Sequence, residues 1–165
     1  MKLNNFKEYE FVGEESYELH GDKCIQEMDK ELLVFIDALH PALSDHFGQK
    51  VSIIINDWKW GGQFSARGLR TPNTFPYAGS IEKFNKSRSQ HKYGKALDFD
   101  VYVGKERIDP EIIIAWIIHH RDLVWVQPVS FIESGVNWVH VDTRPIDNNA
   151  LVIWDLVTEE STLYK

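Results

Sequence analysis

SQHKYGKALDFDVYV, residues 89–103, joins a polar turn to a segment whose side chains alternate without a break. Successive strand side chains point to opposite faces of a sheet. Leu97, Phe99, Val101 and Val103 therefore share one face, and Asp98, Asp100 and Tyr102 the other. The first face is core and the second polar. His91 stands ahead of Asp98 with Gly94 between them. The stretch defines a strand and poses a choice: a metal-binding turn, or a polar loop running into an ordinary sheet.

Working outward, WVHVDTR (138–144) repeats the alternation, with Trp138, His140, Asp142 and Arg144 on one face and Val139 and Val141 on the other. VSIIIND (51–57) is a β-branched run that predicts a buried strand. VWVQPVSFIE (124–133), VNWVHVDTR (136–144) and ALVIWDLV (150–157) predict three more, with Ser134, Gly135 and residues 147–149 as turns. Residues 24–39 space Ile25, Met28, Leu32, Leu33, Phe35 and Ile36 at helical intervals and predict a helix that ends ahead of Pro41. DPEIIIAWIIHHRDL predicts a second helix, with Asp109 as N-cap and Pro110 at its first position. His119, His120 and Arg121 sit at its end, where positive charge suits the helix dipole. Its apolar residues go nearly all round, so it is expected to be well buried. Residues 58–89 lack periodicity and are rich in Gly, Pro, Ser and Asn. A loop this long is usually functional or disordered, and the early aromatics favour an ordered, functional one.

These elements give an α+β domain: a small mixed or antiparallel sheet with helices packed on it. At 165 residues the chain suits a single domain, with residues 1–23 as an N-terminal extension and 51–145 as the central body. The composition, 43% hydrophobic and 26% charged, is that of a soluble globular protein, and no apolar run approaches the roughly 18 residues of a membrane span. The acidic start of the chain does not read as a secretory signal. Cys24, the single cysteine, rules out a disulfide framework and a cysteine-rich zinc site. A net charge of −7 argues against nucleic acid or an anionic membrane as partner, and Lys83, Lys86 and Arg88 read as a solvated loop.

If strands 96–103 and 138–144 are neighbours, Asp98 and His140 converge, and His91 can fold back toward them from the turn. Two imidazoles and one carboxylate with open positions match a catalytic zinc site, which acidifies water for hydrolysis. The competing reading has Asp98 and Asp100 facing solvent and His91 capping a turn. Spacing alone leaves both open.

Ser89-x-His91-x-x-Gly94-x-Ala96-x-Asp98, followed by Trp138-x-His140-x-Asp142, resembles the zinc D-alanyl-D-alanine carboxypeptidase family, which includes L-alanyl-D-glutamate endopeptidases. The likeness is to its phage-borne members and covers about residues 51–145. It implies a zinc carboxypeptidase-like fold and Zn2+ on His91, Asp98 and His140. It also implies an upstream arginine that binds and polarises substrate: Arg70 is the best match and Arg67 the near alternative, with Ser89 also in the substrate site. The implied substrate is a peptidoglycan peptide containing D-amino acids. The implied setting is a phage virion, among other virion proteins, or the host cytoplasm before release.

The sequence departs from that pattern at Asn137, where many members carry an acidic general base three residues before the last histidine. An amide cannot take a proton, and general-base catalysis is typically worth about 10² to 10⁴ in rate. Glu133 is the expected replacement base, and Asp142 the expected support for a ligand imidazole. Each has a plainer reading, Glu133 as a turn acid and Asp142 as the partner of Arg144. His20, His40, His46, His119 and His120 lack ligand spacing, and Trp58 and Trp60 are secondary candidates for stacking on substrate. An iron oxygenase triad needs a further histidine beyond His140, and none follows. The alternative function is a phage structural or attachment protein that keeps a peptidase-like fold without catalysis.

Overall fold

The computed structural model describes residues 2–147 and 150–164. Its centre is the strand predicted at Ala96–Val103, here β2. The other strands are β1 (Val51–Ile54), β3 (Glu106–Arg107), β4 (Phe131–Ser134), β5 (Val139–Asp142), β6 (Leu151–Asp155) and β7 (Glu160–Tyr164). They form a sheet in the order β1-β2-β5-β4-β6-β7, with β3 also paired to β2. Every pairing is antiparallel except β4 with β6. Among the described residues the α-helices are α1 (Glu14–His20), α2 (Lys30–Phe47), α3 (Ile81–Lys86) and α4 (Pro110–His119). The α+β expectation holds, and the sheet is mixed but mostly antiparallel.

Both long helices pack on the sheet, α2 on β1 and β2, and α4 on β2, β4 and β5. The core joins Leu33, Phe35, Ile36 and Leu39 of α2 and Ile113 and Ile117 of α4 to Leu97, Phe99, Ile132, Val139 and Val141 of the strands. This is the apolar face predicted for β2 and β5. Their polar face lies on the other side, and there the site forms.

Several elements differ from expectation for identifiable reasons. The first helix begins at Lys30, because the Asp29 carboxylate caps it by accepting from the N–H groups of Glu31 and Leu32, while residues 21–27 form 3-10 turns. It also runs through Pro41 to Phe47. A proline inside a helix cannot donate to the carbonyl four residues earlier. That carbonyl, on Asp37, instead accepts from the Asn5 amide at 3.0 Å, and the Asp37 carboxylate accepts from the backbone N–H groups of Asn4 and Asn5. The N-terminal stretch is thereby tied to the body, and it buries Leu3, Phe6, Phe11 and Val12 in the core.

The strand expected from Val124 begins only at Phe131. The Arg121 guanidinium draws the preceding segment into turns, donating to the carbonyls of Val126, Gln127 and Val129 at 2.6–2.9 Å. Helix α4 starts as predicted, with Asp109 capping, but Ile112 is half exposed, so it is not buried all round. The short strands β3 and β7 were not foreseen. Lys83 and Lys86 lie on α3 and not in a loop. The turn at Gly135 is present, its φ of 76° in the left-handed region that glycine tolerates. Asn148 and Asn149 of the other predicted turn lie outside the described residues. No described helix is long and apolar enough to cross a membrane.

Candidate metal centre

Strand β1 pairs with only the second half of β2, residues 100–103, and β5 pairs with its first half, residues 96–99. The edge that β1 leaves free is met by the long loop, through a 2.8 Å bond from the Asp98 N–H to the Arg67 carbonyl. On the opposite edge, Asp98 faces His140 of β5, and His140 faces Glu133 of β4. Residues directly opposite in an antiparallel pair share a face. Asp98, His140 and Glu133 therefore form a row across three strands. The hairpin that Glu133 requires is present.

His91 comes from the 3-10 turn Gln90–Tyr93, which Gly94 closes in a left-handed conformation with φ 64°. Gly94 also lies so close to the Glu27 carbonyl that a Cβ would sit 2.1 Å from its oxygen. Only glycine lets this turn return His91 to β2. The His91 Nδ1 lies 2.8 Å from the Gly68 carbonyl oxygen. A carbonyl only accepts, so the proton is on Nδ1 and the Nε2 lone pair is free. That Nε2 lies 3.3 Å from Asp98 Oδ2, yet it is buried and makes no hydrogen bond. His140 Nδ1 lies 2.7 Å from Asp98 Oδ1, and its Nε2 lies 3.5 Å from Asp142 Oδ2.

All three residues are buried, so the reading of Asp98 as a solvent-facing acid is overturned, as is that of Asp100, which is held by Arg67 and Arg107. One ligand atom from each of His91, Asp98 and His140 lies within 4.8 Å of the others, a group that can hold a metal ion. The orphaned His91 Nε2 is the best evidence of fit. A buried donor or acceptor without a partner is costly, and a cation would supply one. Each imidazole also has its outer nitrogen engaged by an oxygen, Gly68 O for His91 and Asp142 for His140, which is how ligand histidines are commonly oriented.

The electrostatics follow from these contacts. Burial holds His91 below the ordinary imidazole value, against the pull of Asp98, which keeps it neutral and able to ligate. Burial acts the same way on His140, but the carboxylates of Asp142 and Asp98 outweigh it, and its pKa is pushed up to about 10. Asp98 would be raised by burial; the two imidazoles reverse this and hold it well below the usual carboxylate range.

Arg70 donates from Nη2 to Asp98 Oδ2 at 2.9 Å and from Nε to the Ala66 carbonyl at 2.6 Å. Arg67 is instead paired with Asp100 at 2.7 Å and stacked on Phe64. It lines an adjoining cavity with Arg70 and Trp138. Of the two arginines, Arg70 is the one that reaches the candidate ligands. The cleft over the centre has a volume of about 200 Å³, and Arg70, Ser89, Glu133, Trp138 and Arg144 line it beside the three candidate ligands. Asp142 is wholly buried; it pairs with Arg144, and its Oδ2 lies 3.5 Å from His140 Nε2.

Asn137 is exposed in the turn before β5 and does not line the cleft. Trp58 gives its indole N–H to the Val12 carbonyl and packs with Tyr9 and Tyr17, and Trp60 lies against Tyr9; neither borders the cleft. His120 stacks on Trp116, and His40 packs against Phe6. Sequence reasoning missed the Gly68 carbonyl and gave no role to Trp138 or Arg144 in the cleft. The carbonyl has no sequence signal, but Trp138 and Arg144 share the His140 face in the strand alternation. Compared with protein-family models, characterised proteins and solved structures, the chain matches none, so its functional reading rests on these residues.

Proposed function

We propose that the protein is a zinc metallopeptidase that hydrolyses a peptide bond in bacterial cell-wall peptides containing D-amino acids. The observation that carries this reading is the buried His91–Asp98–His140 group with its unpartnered His91 Nε2, opening on a cleft that also holds an acid and an arginine. The motif resemblance supports the substrate class. Two nitrogens and one oxygen suit zinc.

His91 through Nε2, Asp98 through its carboxylate and His140 through Nδ1 would hold the ion. When bound, zinc supplies Lewis acidity and brings the pKa of water toward neutrality. Gly68 O and Asp142 hold the two imidazoles in the ligating orientation. Glu133, opposite His140, accepts the proton of the attacking water at its carboxylate and passes it to the leaving amine. Arg70, fixed by Ala66 O, stabilises the charge that develops on the carbonyl oxygen. Ser89 offers a hydroxyl to the substrate backbone.

Metal analysis of protein expressed with ample zinc, with His91→Ala beside it, tests the centre: about one ion per chain is expected in the parent and its loss in the variant. Incubation of the zinc-loaded protein with muropeptides, followed by mass spectrometry, tests the activity. A full zinc complement with no cleavage would favour a virion structural or attachment protein.

A further inference from the structure

We infer that the basic surface formed by α3 and the turn that follows it binds an anionic phosphodiester polymer of the bacterial wall, and so brings the metal cleft to its peptide substrate. This rests on the cell-wall reading above and adds to it a second site, outside the cleft, that sets how the molecule approaches the wall.

The charge of the chain is unevenly laid out. Residues 81–95 carry five bases, Lys83, Lys86, Arg88, Lys92 and Lys95, against the single acid Glu82. That stretch is therefore +4 in a chain of −7, and the remaining residues carry −11. The fold gathers the stretch into one surface. Ser80 caps α3 by accepting from the Lys83 N–H at 3.3 Å, and the buried Tyr77 holds its other end, with its ring against Phe84 and its hydroxyl 2.9 Å from Ser87 Oγ. Lys92 of the 3-10 turn lies over the Phe84 ring and donates to the carbonyls of Asn85 and Ser87 at 3.3 and 3.0 Å. Helix and turn are thus one piece, with Lys92 spent on joining them.

Lys83, Lys86 and Arg88 are left exposed. Lys83 and Lys86, three apart on a helix, are neighbours with about 5–6 Å between their Cβ atoms. Lys86 pairs with Glu82 at 2.6 Å, but both side chains are 77% exposed, and such a pair is worth little and yields to another anion. Neither Lys83 nor Arg88 has an acidic partner among the described residues. The place of this surface gives it a use. Ser89 and Gln90, which continue directly from Arg88, line the cleft beside His91. The negative charge elsewhere on the chain repels a polyanion while this surface attracts it, so the polymer meets the molecule on the side where the cleft opens. Nucleic acid suits the surface less well. Holding a strand takes aromatic platforms for successive bases, and within residues 81–95 only Tyr93 is an exposed ring.

The test is co-sedimentation of the zinc-loaded protein with bacterial wall sacculi, either intact or stripped of their phosphodiester polymers by hydrofluoric acid, over a range of salt concentrations. The parent is set beside the triple variant Lys83→Gln, Lys86→Gln, Arg88→Gln, whose exposed substitutions should leave Tm and the cleavage of a soluble muropeptide unchanged. The parent is expected to bind intact sacculi about tenfold or more tighter than stripped ones, and the variant to lose that preference. The slope of log Kd against log salt should fall by about 2 in the variant, since each phosphate contact contributes about 0.7–0.9. Equal binding of the parent to intact and stripped sacculi, or an unchanged preference in the variant, overturns the inference. So does tighter binding of a single-stranded oligonucleotide than of polyglycerol phosphate, which would make the surface a nucleic-acid site. Cleavage of soluble muropeptide without a preference for intact sacculi would leave the peptidase reading standing and this one fallen. A charge-dependent preference for intact sacculi without cleavage would do the reverse.

Discussion

At the scale of single residues, the site places two similar groups in opposite electrostatic surroundings. Burial lowers the pKa of His91, whose Nδ1 proton is turned to Gly68, whereas the carboxylates of Asp142 and Asp98 raise that of His140. The roles proposed for the acids are separable. Glu133→Gln should leave the zinc content intact and lower turnover by about 10² to 10⁴, because it removes only the proton acceptor. Asp142→Asn should instead weaken zinc binding by about 10- to 100-fold, since it loosens the orientation of His140. Competition with a chromophoric chelator, run beside the turnover assay, distinguishes the two. If turnover survives Glu133→Gln but not Asp142→Asn, the base has been assigned to the wrong acid.

Between elements, the contacts that matter are those joining segments far apart in sequence. Asn5 takes the carbonyl that Pro41 releases in α2, and Asn5→Ala should cost about 1 kcal/mol, the usual net worth of such a bond, read from urea unfolding. Gly94→Ala should cost at least about 1–2 kcal/mol from its left-handed backbone alone. The approach of the Glu27 carbonyl adds to this, and His91 should lose its placement with it. Glu10, buried in the N-terminal stretch, has its pKa raised by burial, partly offset by the bond from the Lys7 N–H. An acid whose folded pKa is raised contributes stability below its unfolded pKa and loses that contribution as pH rises through the folded value. Glu10→Gln should therefore gain stability relative to the parent between pH 4 and pH 7. A constant difference across that range would show that burial does not control this carboxyl.

For the molecule as a whole, the centre joins the 3-10 turn at residues 90–93 to β2 and β5, so a bound ion would cross-link the fold. A ligand at a thousandfold excess over its Kd stabilises by about 4 kcal/mol, which for a chain of this size raises Tm by roughly 8–16 °C. Zinc should produce such a rise, EDTA should reverse it, and His91→Ala should show neither. A Tm indifferent to zinc would mean that the three side chains do not close on a cation.

Much of this was legible from side-chain alternation. The strand at 96–103 and the faces that carry Asp98 and His140 follow from a period of two, whereas their pairing required the two strands to be neighbours. The cap and start of α4 were equally local, since Asp109 and Pro110 act within one turn. By contrast, α2 passing through Pro41 was illegible. Its carbonyl is satisfied by Asn5, and no window around the proline contains that partner. The turns at 124–130 were misread for the same reason: a single side chain, Arg121, gathers three carbonyls there.

The sequence by itself determined which residues can ligate and which face of each strand carries them, because alternation and donor chemistry are properties of the chain. Only the tertiary structure decided that Glu133 stands beside His140, that Arg70 and not Arg67 reaches Asp98, and that the Gly68 carbonyl frees the Nε2 of His91. Those outcomes depend on which strands become neighbours and where a long loop lies against them. Both are settled by packing and by the pairing of buried polar groups across the whole fold, which no local pattern encodes.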